Sequence, residues 1–352
     1  MSPAVRSLLV KTLGRELGLS RVGIAPAAPL PGATYYKSWL RRGYHAGMGY
    51  LARNVERRAA PASLLEGARS IICAALSYQS SSANRPHAET APQAGPATGR
   101  VARYAHGRDY HLVLRERLET LVERLRQRLA EPFEARLFVD TGPLLERELA
   151  AAAGLGWIAK NTMLLSRELG SYTVLGEVLT TLELAHDAPE TDHCGSCTRC
   201  LDACPTGAFP APYQMDASRC ISYLTIEHRG PVDPGLRKGL GGWVFGCDIC
   251  QEVCPWNREA PPATEPGFAP KPGLAAPSLG EWIGLQEEAY RLLTRGTAVR
   301  RAKRGMLRRN AALAAGNTGD RSSIPALKLA AQDADPMIAE AAMWALRKLE
   351  EP

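Results

Sequence analysis

Nine cysteines carry the plainest chemistry in this chain, and eight of them fall between Cys194 and Cys254. The run Cys194-x2-Cys197-x2-Cys200-x3-Cys204-Pro205 has the spacing of bacterial ferredoxins, whose tight loops turn thiolates toward a cubane of iron and sulfide. Cys220, followed by Cys247-x2-Cys250-x3-Cys254-Pro255, makes a second and split copy, with residues 221–246 inserted. In two-cluster ferredoxins the fourth cysteine of each run serves the other cluster. That rule predicts one 4Fe-4S cluster on Cys194, Cys197, Cys200 and Cys254, and another on Cys204, Cys220, Cys247 and Cys250. Two structural zinc sites of four cysteines each are the plain alternative, but they do not require the x2-x2-x3-Pro run or its partial repeat. Cys73 stands alone in an apolar stretch and reads as a small core residue. A pair of clusters conducts single electrons, so the N-terminal part of the chain is expected to hold the acceptor.

Two N-terminal segments offer groups for such a site. Val139–Arg147 (VDTGPLLER) places Asp140 at the end of a strand, before a turn and a helix. A carboxyl group there can donate a proton if burial raises its pKa. An Asp-Thr pair ahead of Pro143 also suits a helix N-cap. Gly154–Thr162 (GLGWIAKNT) sets glycines, a cation and small polar groups in one loop. It lacks the Gly-Lys-Ser/Thr ending of a nucleotide P-loop and the glycine fingerprint of a dinucleotide site.

Asp140–Pro143, the Gly156–Thr162 loop, Gly170–Glu177 (GSYTVLGE), Tyr104–His111 (YAHGRDYH) and the split cysteine runs together resemble the epoxyqueuosine reductase family. The resemblance implies a cobalamin-dependent iron–sulfur enzyme that reduces epoxyqueuosine to queuosine at the wobble position of tRNA, the last step of queuosine biosynthesis. Electrons would come from an external low-potential donor and pass one at a time through the two clusters to the cobalt. The resemblance makes Asp140 the proton-donating acid and the eight cysteines the cluster ligands. It sets Arg57, Arg103, Tyr104, Lys160, Asn161, Thr162 and Ser171 in or beside matching motifs, as residues lining the cobalamin together with Asp140. His106, where arginine is more usual, and Ala159, where glycine is, depart from the family pattern. Two rivals share part of this chemistry. A reductive dehalogenase-like enzyme would use the same cofactors on a small substrate, and a non-catalytic iron–sulfur electron carrier would bind no cobalamin.

Charge bears on the partner. The chain carries a formal +7, and between Thr294 and Arg309 lie Arg295, Arg300, Arg301, Lys303, Arg304, Arg308 and Arg309 without one acidic residue. Solvated helix faces mix signs, so an unmixed run predicts contacts to RNA phosphates, here those of a tRNA anticodon stem-loop.

The elements that must position these groups follow from periodicity. Helical spacing over Ser2–Gly18, Tyr110–Leu129 and Glu146–Ala153 alternates with strand-like runs at Val22–Ala25, Arg69–Tyr78, Ala135–Val139 and Val174–Leu184. Leu112, Leu118, Leu121 and Leu125 mark the apolar face of the Tyr110 helix, and residues 81–100 form a polar loop with three prolines. The expectation is a multidomain α+β protein. It comprises an α/β cobalamin-binding domain (1–185), a ferredoxin-like two-cluster domain (186–258), a linker with six prolines (259–278) and a helical tail like HEAT repeats (279–352). No run approaches the ~18 apolar residues of a membrane span, and Arg6, Lys11, Arg15 and Glu16 interrupt the N-terminus as a signal peptide. A cytoplasmic monomer without membrane contact is expected.

Overall fold

The apolar run SIICAALS becomes the central strand of a four-stranded sheet because it can be buried on both faces. In the computed structural model, which describes residues 1–79 and 98–350, all eight residues of this strand are buried. The polar loop expected at 81–100 lies largely outside the described residues. After helix α1 (Pro3–Glu16) come strands β1 (Arg21–Pro26) and β2 (Ser70–Ser77), helix α2 (Tyr110–Arg128), strand β3 (Ala135–Phe138), helix α3 (Glu146–Ala152) and strand β4 (Thr173–Thr180). The strand order is β1-β2-β4-β3.

Every pairing in this sheet is antiparallel. The mixed α/β reading of this part stands, and the strand direction is new, since hydrophobic runs report burial and carry none. Alternation along β2 sends Ile72, Ala74 and Leu76 toward α1 and α2, and Ile71, Cys73 and Ala75 toward α3. The buried face of α2 is Val113, Leu114, Leu118, Leu121, Val122 and Leu125, while Leu112 points to solvent. Cys73 is a core residue, as expected.

The C-terminal part is helical: α4 (Ile221–Ile226), α5 (Leu279–Ile283), α6 (Arg304–Thr318), α7 (Ile324–Ala330) and α8 (Pro336–Glu350). Helix α6 is buried from Met306 to Gly316. A Cβ on Gly316 would stand 2.9 Å from the Ala345 Cα, so glycine lets α6 and α8 approach closely. One core joins this helical layer to residues of the insertion between the cysteine runs, including Leu224, Leu240 and Phe245. Residues 259–278, expected as a linker, run back along the N-terminal part. There the Arg108 N–H donates to the Gly267 carbonyl at 2.7 Å and the Lys271 N–H to that of His106 at 2.8 Å. No described helix is long and apolar enough to cross a membrane.

Candidate functional site

Asp140 stands two residues beyond strand β3 and apart from the helix that follows. Helix α3 begins at Glu146 and takes Leu145 as its N-cap without a side-chain bond, so Asp140 is no capping residue. Its backbone sits in the left-handed region at φ 56°, where aspartate is tolerated and most side chains are strained. Three neighbours hold the loop there. The Asp140 N–H donates to the Glu146 carboxylate, Arg58 donates to the Gly142 carbonyl at 3.3 Å, and Arg147 donates to the carbonyl of Thr162, itself left-handed at φ 65°. Adjacent side chains at the start of α3 thus fasten the Asp140 loop and the Gly154–Thr162 loop side by side.

The Asp140 side chain meets His111 from the first turn of α2, with Oδ2 3.2 Å from Nε2. The other ring nitrogen lies 2.8 Å from Asp109 Oδ1, which also accepts the His111 backbone N–H at 3.0 Å. The Tyr110 and His111 rings stack at 4.1 Å. Burial pushes the Asp140 carboxyl up, but hydrogen bonds from His111 and Tyr110 and the charge of Arg301 outweigh it and hold the group below its ordinary value. The elevated pKa expected of a proton donor is therefore corrected. Burial also works against charge on His111, yet Asp109 and Asp140 raise it to about 9. Beneath the loop, burial and the charge of Asp140 lift Glu146 to about 7. Burial and Glu146 push Glu177, a fully buried acid, well above the carboxylate range.

The cysteines act on one another through their charges. Cys200 feels the charges of Cys254, Cys194 and Cys197, while Cys250 feels Cys220 and Cys204, and Cys247 feels Cys250 and Cys220. Cys200 and Cys250 also act on one another, so these influences do not divide the eight thiols into two closed sets. The donor set fits iron–sulfur clusters. Trp157 packs against Cys194 and Cys254, its indole N–H is buried without a hydrogen-bond partner, and burial pushes the Cys194 thiol up.

The other residues singled out in the sequence divide. Lys160 donates to the carbonyls of Gly195 and Cys197 at 2.6 and 3.0 Å, and Asn161 donates to that of Cys250 at 3.4 Å. Both side chains therefore brace the thiol loops. Ser171 is buried and spends its hydroxyl on Gln251 at 2.9 Å, which corrects its assignment as a cofactor contact. Arg57 is exposed, and its neighbour Arg58 holds the acid loop. Arg103 lies over the Tyr172 ring at 4.5 Å and pairs with Glu252 at 3.3 Å.

Tyr104 belongs to a file of rings in which Tyr172 meets Tyr78 at 5.7 Å, Tyr78 meets Tyr104 at 6.3 Å and Tyr104 meets Tyr110 at 5.8 Å. This file ends at His111 beside Asp140. Buried polar atoms without partners, Tyr172 Oη and Arg58 Nε, add to the same surroundings. The unpartnered polar atoms suit a large cofactor edged with amides, while the Tyr78 and Tyr172 rings are themselves buried. His111, Arg58, Glu146 and Glu177 were missed as individual residues. His111, Glu146 and Glu177 stand inside the YAHGRDYH, VDTGPLLER and GSYTVLGE segments, and Arg58 carries no signal short of three-dimensional contact.

The basic segment also splits. Arg295, Arg300 and Lys303 are exposed. Arg301 reaches Glu227 at 2.8 Å, lies over the Tyr50 ring at 5.6 Å, and acts on Asp140 through its charge. Arg304 pairs with Glu287 at 3.2 Å, and the buried Arg308 pairs with Asp333 at 2.7 Å. Arg309 is fully buried and donates to the carbonyls of Leu224 at 2.6 Å and His228 at 2.9 Å. Arg308 and Arg309 are thus corrected from RNA contacts to internal braces, because α6 is buried where the sequence promised a solvated face.

Known proteins match this arrangement throughout. Residues 58–141 match the family described as "Epoxyqueuosine reductase QueG, DUF1730", and residues 193–257 match a 4Fe-4S double cluster binding domain. The epoxyqueuosine reductase of Pseudomonas aeruginosa is 41% identical over 350 residues, covering 98% of this chain and 95% of that protein. A crystal structure of epoxyqueuosine reductase with an epoxyqueuosine-modified tRNA-Tyr stem loop superposes with TM-score 0.88 at 33% identity, covering 98% of this chain and 90% of the other. A Bacillus subtilis epoxyqueuosine reductase whose aspartate-bearing catalytic loop is swung out of the active site superposes with TM-score 0.87 at 32% identity, with the same two coverages. The chain belongs to the epoxyqueuosine reductase family.

Proposed function

We propose that this chain reduces epoxyqueuosine to queuosine at the wobble position of tRNA, as a cytoplasmic monomer fed by an external low-potential electron donor. The observation that carries the reading is the setting of Asp140. Its loop is fastened to the loop that braces the thiols of Cys197 and Cys250, and Arg301 of the basic segment acts on its carboxyl from the other side. Electrons, a proton and an RNA backbone thus have routes to one place.

Removing the epoxide oxygen takes two electrons and two protons and releases water. Cobalamin, the family's cofactor, supplies the low-potential chemistry at the substrate carbon when bound. The protein's own residues do the rest. The two sets of four cysteines hold the clusters that relay electrons. Tyr104 and its file of rings, with Arg58, Arg103 and Thr162, border the cofactor's place. Asp140 passes a proton to the epoxide oxygen as the C–O bond breaks. Arg295, Arg300, Arg301, Lys303 and, less freely, Arg304 hold the stem-loop by its phosphates, and the target base is splayed out of its loop. The helical tail that carries them is read as HEAT-like.

The test is an anaerobic assay on stem-loop RNA carrying epoxyqueuosine, with cobalamin and a strong reductant, read by mass spectrometry for loss of one oxygen. Cobalamin-dependent conversion is expected. The Asp140→Asn protein should keep both clusters and lose turnover by about 10²–10⁴-fold, the usual worth of a general acid. Full activity in that variant removes Asp140 from the mechanism.

A further inference from the structure

A proton donor whose carboxyl is held ionised presents a puzzle, and the neighbouring histidine resolves it. Both nitrogens of the His111 ring face carboxylate oxygens, Nδ1 toward Asp109 at 2.8 Å and Nε2 toward Asp140 at 3.2 Å. An ionised carboxylate only accepts hydrogen bonds, so a ring set between two of them carries a proton on each nitrogen. The ring has little freedom to leave. Asp109 Oδ1 is shared with the His111 backbone N–H at the start of α2, and Tyr110 covers one ring face.

Resting on the functional reading above, we propose that His111 is the positioning residue that stores the proton Asp140 delivers. As the C–O bond of the epoxide breaks and its oxygen takes the electron pair, the proton on His111 Nε2 moves to the Asp140 carboxylate and from there to that oxygen. His111 is left neutral and Asp140 ionised, and solvent recharges the ring for the second proton that leaves in water. The clusters supply the two electrons from the external donor. The groups bearing on the pair are Asp109 and Tyr110 from α2, and Glu146, Arg301 and Tyr50 around the Asp140 carboxyl. Their balance keeps His111 charged up to about pH 9.

Two measurements decide the matter. The first is the pH profile of single-turnover reduction by the fully loaded enzyme and its His111→Gln variant. Wild type should hold its rate until His111 discharges near pH 9. In His111→Gln the alkaline limb should move down by about two units or more, with KM for the stem-loop kept within about threefold. The second needs no turnover: NMR titration of the imidazoles in the full chain, with His111 assigned by its absence from His111→Gln. A ring titrating near 9 is expected, and it should fall by about one unit or more in Asp109→Asn. A His111 ring titrating at or below neutral pH, or superimposable profiles of wild type and His111→Gln, overturns the proposal. If the wild type fails to convert the RNA, the functional reading falls and the NMR titration alone decides where the proton lies.

Discussion

The cysteine region and the basic segment are both dense runs of one chemical kind, and they behave differently in three dimensions. The thiols act on one another across the two runs, Cys254 on Cys200 and Cys204 on Cys250, pairs that the spacing assigns to one cluster each. The seven cations between Thr294 and Arg309 scatter, with Arg295, Arg300 and Lys303 reaching solvent while Arg309 is fully buried. Ligation is a geometric demand, so its spacing encodes a shape. Charge is a bulk property, and a run of it says nothing about which way each side chain faces. An arginine can be buried if carbonyls satisfy its guanidinium, as Leu224, His228 and Gly230 do for Arg309.

This contrast can be broken by substitution. Cys250→Ser removes one proposed cluster ligand and should cost essentially all turnover, with iron falling from about eight to about four per chain. Survival of both clusters would mean that spacing misassigned the ligand. Arg309→Leu strands buried carbonyls and should lower stability by about 3 kcal/mol, read by denaturant unfolding, while leaving the salt dependence of RNA binding unchanged. A flatter salt dependence there would return Arg309 to the RNA interface. The triple change Arg295→Ala, Arg300→Ala, Lys303→Ala should do the reverse. Its log–log salt slope should fall by about 2, measured by filter or fluorescence binding, with the melting temperature kept. Smallest is Trp157→Phe, which deletes the unpartnered indole N–H packed beside Cys194 and so a donor available to a cluster there. It should shift one cluster potential to more negative values in a redox titration and leave iron content intact.

What was legible in the sequence follows the same division. Strand β2, helix α2 and the tail helices were readable because apolar periodicity is local, and each appears within a few residues of its expected span. The antiparallel order was not, since strand direction depends on how the chain returns rather than on what it contains. At the site, the motif holding Asp140 could be found, but its ionisation could not. Burial alone argued for a raised pKa, and the opposing His111 lies 29 residues away in sequence. Ser171 shows the opposite failure. It occupies a motif that marks the family, yet in the structure it bonds Gln251 and Asn257.

The left-handed backbone at Asp140 has a consequence for how this position can drift. Glycine and asparagine keep the φ of 56° at little cost but surrender the acid. Glutamate keeps the acid but must pull a longer side chain back from His111 while adopting a backbone it disfavours. No single replacement preserves both properties, so evolution at position 140 has nowhere nearby to go, and every step away from aspartate is first a step in function rather than in fold.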